Sequence, residues 1–414
     1  MAELSGPLSP LGHPNFRWYF VASTVNTAGS TMAGVALAFA VLSISDSATA
    51  LGVVLAASTV PTVLFLLVGG VIADRLPLTV VLRLGMLVTG ATQGAVAVLV
   101  LTGVARVWML VCLEAVNGMV LALTFPALAS IMPQLVPRDL LQQANVLQSM
   151  SRGALRVLGP TISALVVVGA GAGWALAVDA ATWLAAAVIL LLVRLPPRKP
   201  RGEAVSTLGD LRAGWDYVRS TTWLWVVVLA FGLLNAIQSG AWSTLGPARA
   251  KETIGAAGWG YLLSAESIGL LAMTLVMMRR RLRRPLRSGM LGIAWLGVPM
   301  AVLGWEPHLL PLVVVTFVAG AGTEVFSLGW SLAMQENVPE DMLSRAYSYD
   351  ALGSFVAIPV GQLVFGPLGA ALGYGGVMVA SGAAYVVICL LTLCSRSVRD
   401  LRRAPLEASV ATAR

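Results

Sequence analysis

Twelve runs of about 20 or more mostly apolar residues follow one another along this chain, parted by short polar or Gly/Pro-containing breaks. A segment inside a bilayer must satisfy its own amides and carbonyls, and an apolar α-helix of that length does so while crossing the hydrocarbon. The runs centre on residues 16–43, 49–73, 80–103, 107–132, 145–169, 173–194, 222–246, 257–279, 287–305, 308–333, 346–372 and 374–395. Charged residues make up only 11% of the chain and hydrophobic ones 57%, whereas soluble domains carry roughly a quarter charged residues. The fold class that follows is an all-α membrane protein with twelve transmembrane helices.

The runs fall into two similar sets. Val136 to Ala144 reads Val-Pro-Arg-Asp-Leu-Leu-Gln-Gln-Ala, and Val338 to Ala346 reads Val-Pro-Glu-Asp-Met-Leu-Ser-Arg-Ala, each just after a long apolar run. Leu51 to Ala56 (Leu-Gly-Val-Val-Leu-Ala) is echoed by Trp259 to Ser264 (Trp-Gly-Tyr-Leu-Leu-Ser) at a similar offset. Two pseudo-symmetric six-helix halves are expected, the parallel duplication on which one class of secondary transporter is built. The boundaries read as residues 1–194, a linker at 195–222, residues 223–395 and a polar tail at 396–414. In the linker, Leu208, Leu211, Trp215 and Val218 stand at helical spacing among charges, which fits an amphipathic helix on the membrane surface or one packed beneath the bundle.

The net charge of +8 must be read loop by loop. Of the 27 Lys and Arg, Arg106, Arg249 and Lys251 alone fall in loops of one side; the remaining 24 lie on the opposite face with both termini. The positive-inside rule makes that face cytoplasmic, so the basic balance implies a lipid bilayer rather than a nucleic acid partner. Cys112, Cys389 and Cys394 lie in apolar surroundings without Cys-x-x-Cys spacing, which reads as core packing, with no metal site and no disulfide framework.

Polar residues inside the runs are not scattered. Run 1 carries Ser23, Asn26, Thr27 and Ser30; run 4 carries Glu114 and Asn117; run 7 carries Asn235, Gln238, Ser239 and Trp242; run 10 carries Thr323, Glu324, Ser327 and Ser331. Such stripes are either hydrogen-bonding glue between helices or the wall of a wet cavity, and their recurrence in the first and fourth helix of each set favours the cavity. Its expected lining is Asn26, Thr27, Ser30, Asn117, Phe125, Asn235, Gln238, Trp242, Ser327 and Trp330. Carboxylic acids at membrane depth are costly to ionise and so are candidates for proton exchange or for holding a cationic substrate. Glu324 is the first of these, followed by Glu114, Glu266 and Asp179.

Run 2 ends Gly69-Gly70-Val71-Ile72-Ala73-Asp74-Arg75, which resembles the Gly-x-x-x-Asp-Arg signature of the major facilitator superfamily. Gly70, Asp74 and Arg75 match it; Pro77, Leu78 and Thr79 replace the Gly and basic residues that usually follow, leaving Arg83 downstream. Asn15-Phe16-Arg17, Pro137-Arg138-Asp139, Ser151-Arg152, Leu158-Gly159-Pro160 and Asp179-Ala180-Ala181-Thr182 are similar to the enterobactin-exporter and macrolide-efflux branch of that superfamily. Gly153, Gly159 and Pro160 partly match the antiporter motif of its drug exporters. The resemblance implies alternating access in the inner membrane, with a cytoplasmic gate built from Gly70, Asp74, Arg75, Arg83, Arg152, Arg156, Arg345 and Asp350. It implies proton-coupled export of a bulky amphipathic molecule such as a siderophore, antibiotic or drug-like metabolite, by a monomer with no cofactor beyond the proton gradient. Import of a small polar nutrient and a non-transporting sensor role are the alternatives.

Other chemistries are disfavoured. Lys199 and Lys251 are the two lysines and neither follows a Gly, so no phosphate-cradling Gly-Lys-Ser/Thr loop exists. The two histidines, His13 and His308, lie at the ends of runs, where they cannot serve an intramembrane hydrolase.

Overall fold

The computed structural model describes residues 8–75, 78–137, 140–194, 215–277, 280 and 282–402. Among them, twelve helices are long and apolar enough to cross a membrane. The first six are α1 (Pro14–Ser45), α2 (Ala48–Arg75), α3 (Leu78–Leu101), α4 (Val107–Leu135), α5 (Leu141–Ala170) and α6 (Ala172–Ile189). The next are α7 (Thr222–Glu252), α8 (Gly255–Met277) and α9 (Pro285–Trp305). Last come α10 (Leu309–Asn337), α11 (Glu340–Phe355, resuming as Ala357–Leu372) and α12 (Tyr374–Thr392).

Local chemistry sets the helix ends. Proline opens α1, where its missing N–H costs nothing. Asp46 ends that helix in the left-handed conformation, φ 51°, with its amide on Leu42 O at 3.2 Å. Gly171, at φ 98°, turns the chain from α5 into α6 in a single residue.

The chain divides into two compact units, Met1–Arg201 with Ala250–Ser264, and Gly202–Arg249 with Ala265–Arg414. The stretch 250–264, which the sequence places in the second half, thus groups with the first. Lys251 reaches the end of α1, and Ser264 Oγ bonds Val157 O and Thr161 Oγ1, each at 2.6 Å.

The same helix pairs recur in each unit. In the first, α1 packs on α5, α2 on α4, and α3 on α4 and α6. In the second, α7 packs on α11, α9 on α10 and α12, and α8 on α10. Without a hydrophobic drive between helices in lipid, close backbone approach through small residues supplies the packing. A Cβ on Gly118 of α4 would lie 2.0 Å from Ser58 O of α2, and one on Gly320 of α10 would lie 1.9 Å from Glu266 O of α8. The α2–α4 and α8–α10 contacts are therefore equivalent joints.

Three expectations need amendment. Of the cysteines only Cys389 is buried; Cys112 is exposed on α4, and Cys394 is exposed beyond the end of α12. Of the linker, 195–214 lie outside the described residues, while 215–220 are helical. That helix packs on α11, with the Trp215 ring 5.7 Å from the Tyr349 ring. Finally, α7 is not α-helical throughout, because Gln238–Leu245 form a π-helical segment. There Thr244 Oγ1 bonds the carbonyl of Ser239, five residues earlier, at 2.9 Å.

Candidate functional site

The first unit encloses a cavity of about 770 Å³ lined by side chains from α1 to α6. The α1 stripe forms one wall: Asn26, Thr27 and Ser30 all face it, with Tyr19 and Ser23 further along. These positions fall every three or four residues, the spacing that puts side chains on one face of a helix.

Opposite lies a buried polar cluster. Glu114, 5% exposed, accepts at Oε1 from Gln93 Nε2 (3.2 Å) and Asn117 Nδ2 (3.4 Å). Thr92 Oγ1 donates in turn to Asn117 Oδ1. The carboxylate is thus held by two amides, of which Asn117 is engaged at its other end while the Gln93 Oε1 is buried without a partner among the described residues.

Asp179 of α6 is 1% exposed and faces the same cavity. Neither of its oxygens meets a donor in hydrogen-bonding geometry; the Ser30 hydroxyl and Trp183 indole stand beside it, and Glu114 is near enough to act on it electrostatically. The helix approach that places it there depends on Gly29, where a Cβ would lie 2.9 Å from Asp179 Cα. One cation, Arg152 of α5, completes the lining. Its helix is tied to α1 through Thr24 Oγ1 and Ser151 Oγ at 2.9 Å and through Gln148 and Ser23.

The cavity therefore brings together Asn26, Thr27, Ser30, Glu114, Asn117, Asp179 and Arg152. Sequence reading passed over Gln93, Thr89 and Trp183, which also line it. A signal existed: Thr89 and Gln93 are four apart in a mostly apolar run, the same spacing that marked α1.

The remaining candidates lie elsewhere. Arg83 Nε and Nη2 donate to Leu190 O (3.0 Å) and Val193 O (2.8 Å), closing the C-terminal end of α6. Arg156 is exposed on α5. Gly153 is half-buried, while Gly159 admits α1, since a Cβ there would meet Thr31 Oγ1 at 2.2 Å. Pro160 presents its carbonyl to Gly260 of α8. The side chains of Asp74, Arg75, Phe125 and Arg345, and the packing of Gly70, lie outside the described residues.

In the second unit the described residues include an aromatic row. Phe231 stacks on Phe326 at 4.2 Å between centroids, Phe326 lies parallel to Trp330 at 6.3 Å, and Trp223 meets Trp330 edge-on at 6.0 Å. Trp330 Nε1 donates to Asp350 Oδ2 at 3.0 Å. Asn235 Nδ2 reaches Ser354 O at 3.5 Å, Gln238 begins the π-helical segment, and Ser327 is exposed. Glu266 lies beside the Trp242 indole and near Tyr385. Glu324 is half-buried on α10. Among the described residues no group of three His, Cys, Asp or Glu could hold a metal ion.

Twelve spanning helices in two repeating six-helix sets, with a polar cavity inside one set, are the architecture of transporters of the major facilitator type. The sequence profile of transmembrane secretion effectors, one family of this type, matches residues 5–411, and the chain belongs to that family. It is 27% identical over 399 residues to the enterobactin exporter EntS of Escherichia coli O1:K1, covering 95% of this chain and 94% of that one. The same figures hold for the enterobactin exporter EntS of Shigella boydii serotype 18.

Solved structures share the fold. The nucleoside transporter NupG superposes with a TM-score of 0.74 at 13% identity, over 92% of this chain and 98% of that one. A bacterial homologue of the iron transporter ferroportin gives 0.69 at 16% identity, over 91% and 98%.

Proposed function

We propose that this transporter exports a bulky amphipathic small molecule of siderophore or antibiotic type and that Glu114 and Asp179 couple the movement to protons. The observation that carries the reading is Asp179: a buried carboxyl facing a cavity lined by six helices, with no cation beside it among the described residues and with the neutral Ser30 hydroxyl and Trp183 indole as its polar neighbours. A group so placed is costly to ionise, and proton uptake relieves that cost. Glu114 differs in having two amide donors, so the two acids are arranged for different roles in one proton exchange. The cavity volume of about 770 Å³ falls in the range of small-molecule sites. The direction is supported by the secretion family and by relatives that export enterobactin.

The lopsided Lys and Arg distribution supports a cytoplasmic location for both termini. The lining of the cavity comes from one chain, and in this reading the protein acts as a monomer.

Inverted membrane vesicles holding an acid-inside gradient test the reading. Siderophores, macrolides and cationic dyes are added while gradient collapse is followed, against vesicles lacking the protein. The expected result is collapse by at least one compound class that depends on the protein and disappears in Glu114→Gln or Asp179→Asn. Uphill accumulation with unchanged pH dependence in the double variant would remove these residues from coupling.

A further inference from the structure

Away from the cavity, the second unit carries a concave basic site of about 630 Å³ lined by Arg283, Arg284, Arg287, Ser288 and Arg402. Its arginines come from two distant stretches of chain, the entry to α9 and the segment after α12, which the Arg284–Asp400 contact at 3.5 Å ties together. Arg399 reaches the same Asp400 at 3.6 Å. Four arginines therefore line the concavity, and one of them, Arg284, shares Asp400 with Arg399. Among the described residues, Arg283, Arg287 and Arg402 have no carboxylate partner. Like charges this close repel one another unless an anion joins them.

The backbone points the same way. Helix α9 opens on Pro285 with no side-chain cap and no acidic residue in its first turn, which leaves the positive end of its dipole without an anionic side chain beside the arginines. Guanidinium forks match phosphate oxygens bidentately.

The surroundings decide the source of that phosphate. One turn below Arg287 on α9, Leu291 is exposed, and so are Leu390 and Leu391 at the end of α12. A basic concavity above bare leucines at the end of two spanning helices suits a headgroup with its acyl chains attached, whereas a free anion would use the upper part alone.

We infer that Arg283, Arg287 and Arg402, with the α9 N-terminus, bind the phosphate of an anionic phospholipid whose acyl chains run down α9 and α12.

The test titrates the purified full-length protein in detergent with phosphatidylglycerol, phosphatidylcholine or inorganic phosphate and follows the unfolding midpoint by tryptophan fluorescence. The expected result is a saturable rise with phosphatidylglycerol, none with phosphatidylcholine at equal concentration, and none with phosphate. The triple variant R283Q/R287Q/R402Q should need about 100-fold more phosphatidylglycerol for half-saturation. Should the triple variant fail to fold, the R283Q/R402Q pair, both outside the spanning segments, should need about 10- to 30-fold more. Equal response to phosphatidylcholine, or no change in the variants, overturns the inference. A shift produced by phosphate alone overturns the lipid assignment.

Discussion

Lys251 Nζ donates to Asp46 Oδ1 at 2.8 Å and to Leu42 O at 2.7 Å, so one ammonium both pairs with the residue that ends α1 and caps a carbonyl of its last turn. The carboxylate is 86% exposed and the lysine 40%, which leaves the ion pair little net worth in water. The contact with the helix end is shielded better and acts on the negative pole of the dipole. Lys251→Met is therefore expected to cost up to about 1 kcal/mol, and Asp46→Asn less. High salt should erase the Asp46 effect and leave part of the Lys251 effect; equal losses at low and high salt would contradict this division. Unfolding midpoints of both variants across a salt series provide the measurement.

Arg83 spans two carbonyls at the end of α6. Arg83→Ala should destabilise by about 1–3 kcal/mol, the value of charge-assisted bonds to a partly buried helix end. Arg83→Lys should restore only part of it, since a single ammonium cannot reproduce the two-pronged contact. Melting of the three proteins in the same detergent decides the point; a lysine variant as stable as the parent would argue against the fork.

The Trp330–Asp350 hydrogen bond at 3.0 Å links the aromatic row to α11. Trp330→Phe removes one of the donors to this carboxylate, the Ser354 hydroxyl being another, at an expected cost of about 1 kcal/mol. In a double-mutant cycle with Asp350→Leu the coupling energy should be positive and about 1 kcal/mol or more. Additivity of the two substitutions would mean that the contact contributes nothing.

Gly118→Ala would drive a Cβ to 2.0 Å from Ser58 O, and Gly320→Ala would do the same at 1.9 Å from Glu266 O. Both neighbours are backbone and cannot swing aside, so each substitution should leave little correctly folded protein. Gly12→Ala, with nothing within 4 Å, should behave like the parent. Size-exclusion profiles of fluorescent-tagged variants make the comparison.

Glu324→Gln is expected to leave proton coupling intact if the exchange runs through Glu114 and Asp179. Loss of gradient-driven transport in this variant, with normal yield, would return the role to α10.

The twelve spans were legible because length and hydropathy alone dictate a membrane helix, and the duplication because short polar segments recur after equivalent runs. The α1 stripe was legible too, since a polar residue in an apolar run has few reasons to be there. What escaped the sequence were relations between helices. Nothing near Asp179 in the chain announces that Gly29 will let α6 approach α1, or that Ser30 will stand beside the carboxyl. Gln93 stood in plain view, yet its meaning depends on Glu114, 21 residues away on another helix. Arg83 read as part of a gate motif because its partners are backbone carbonyls, which carry no sequence signal. The attachment of 250–264 to the first unit is likewise carried by main-chain acceptors, Leu42 O and Val157 O.

The wide turn of α7 over Gln238–Leu245 bears on the protein's ancestry. One residue added to a helix turns everything beyond it by about 100°, and a single insertion is the simplest origin for a π-helical stretch. The two halves keep the same helix partners, but the π-helical turn is found in α7, whereas α1 is α-helical from Pro14 to Ser45. Shortening the stretch by one residue would therefore not merely tidy the helix. It would swing the Asn235 face a quarter-turn or more relative to Arg249 and so change which side chains of α7 share one wall.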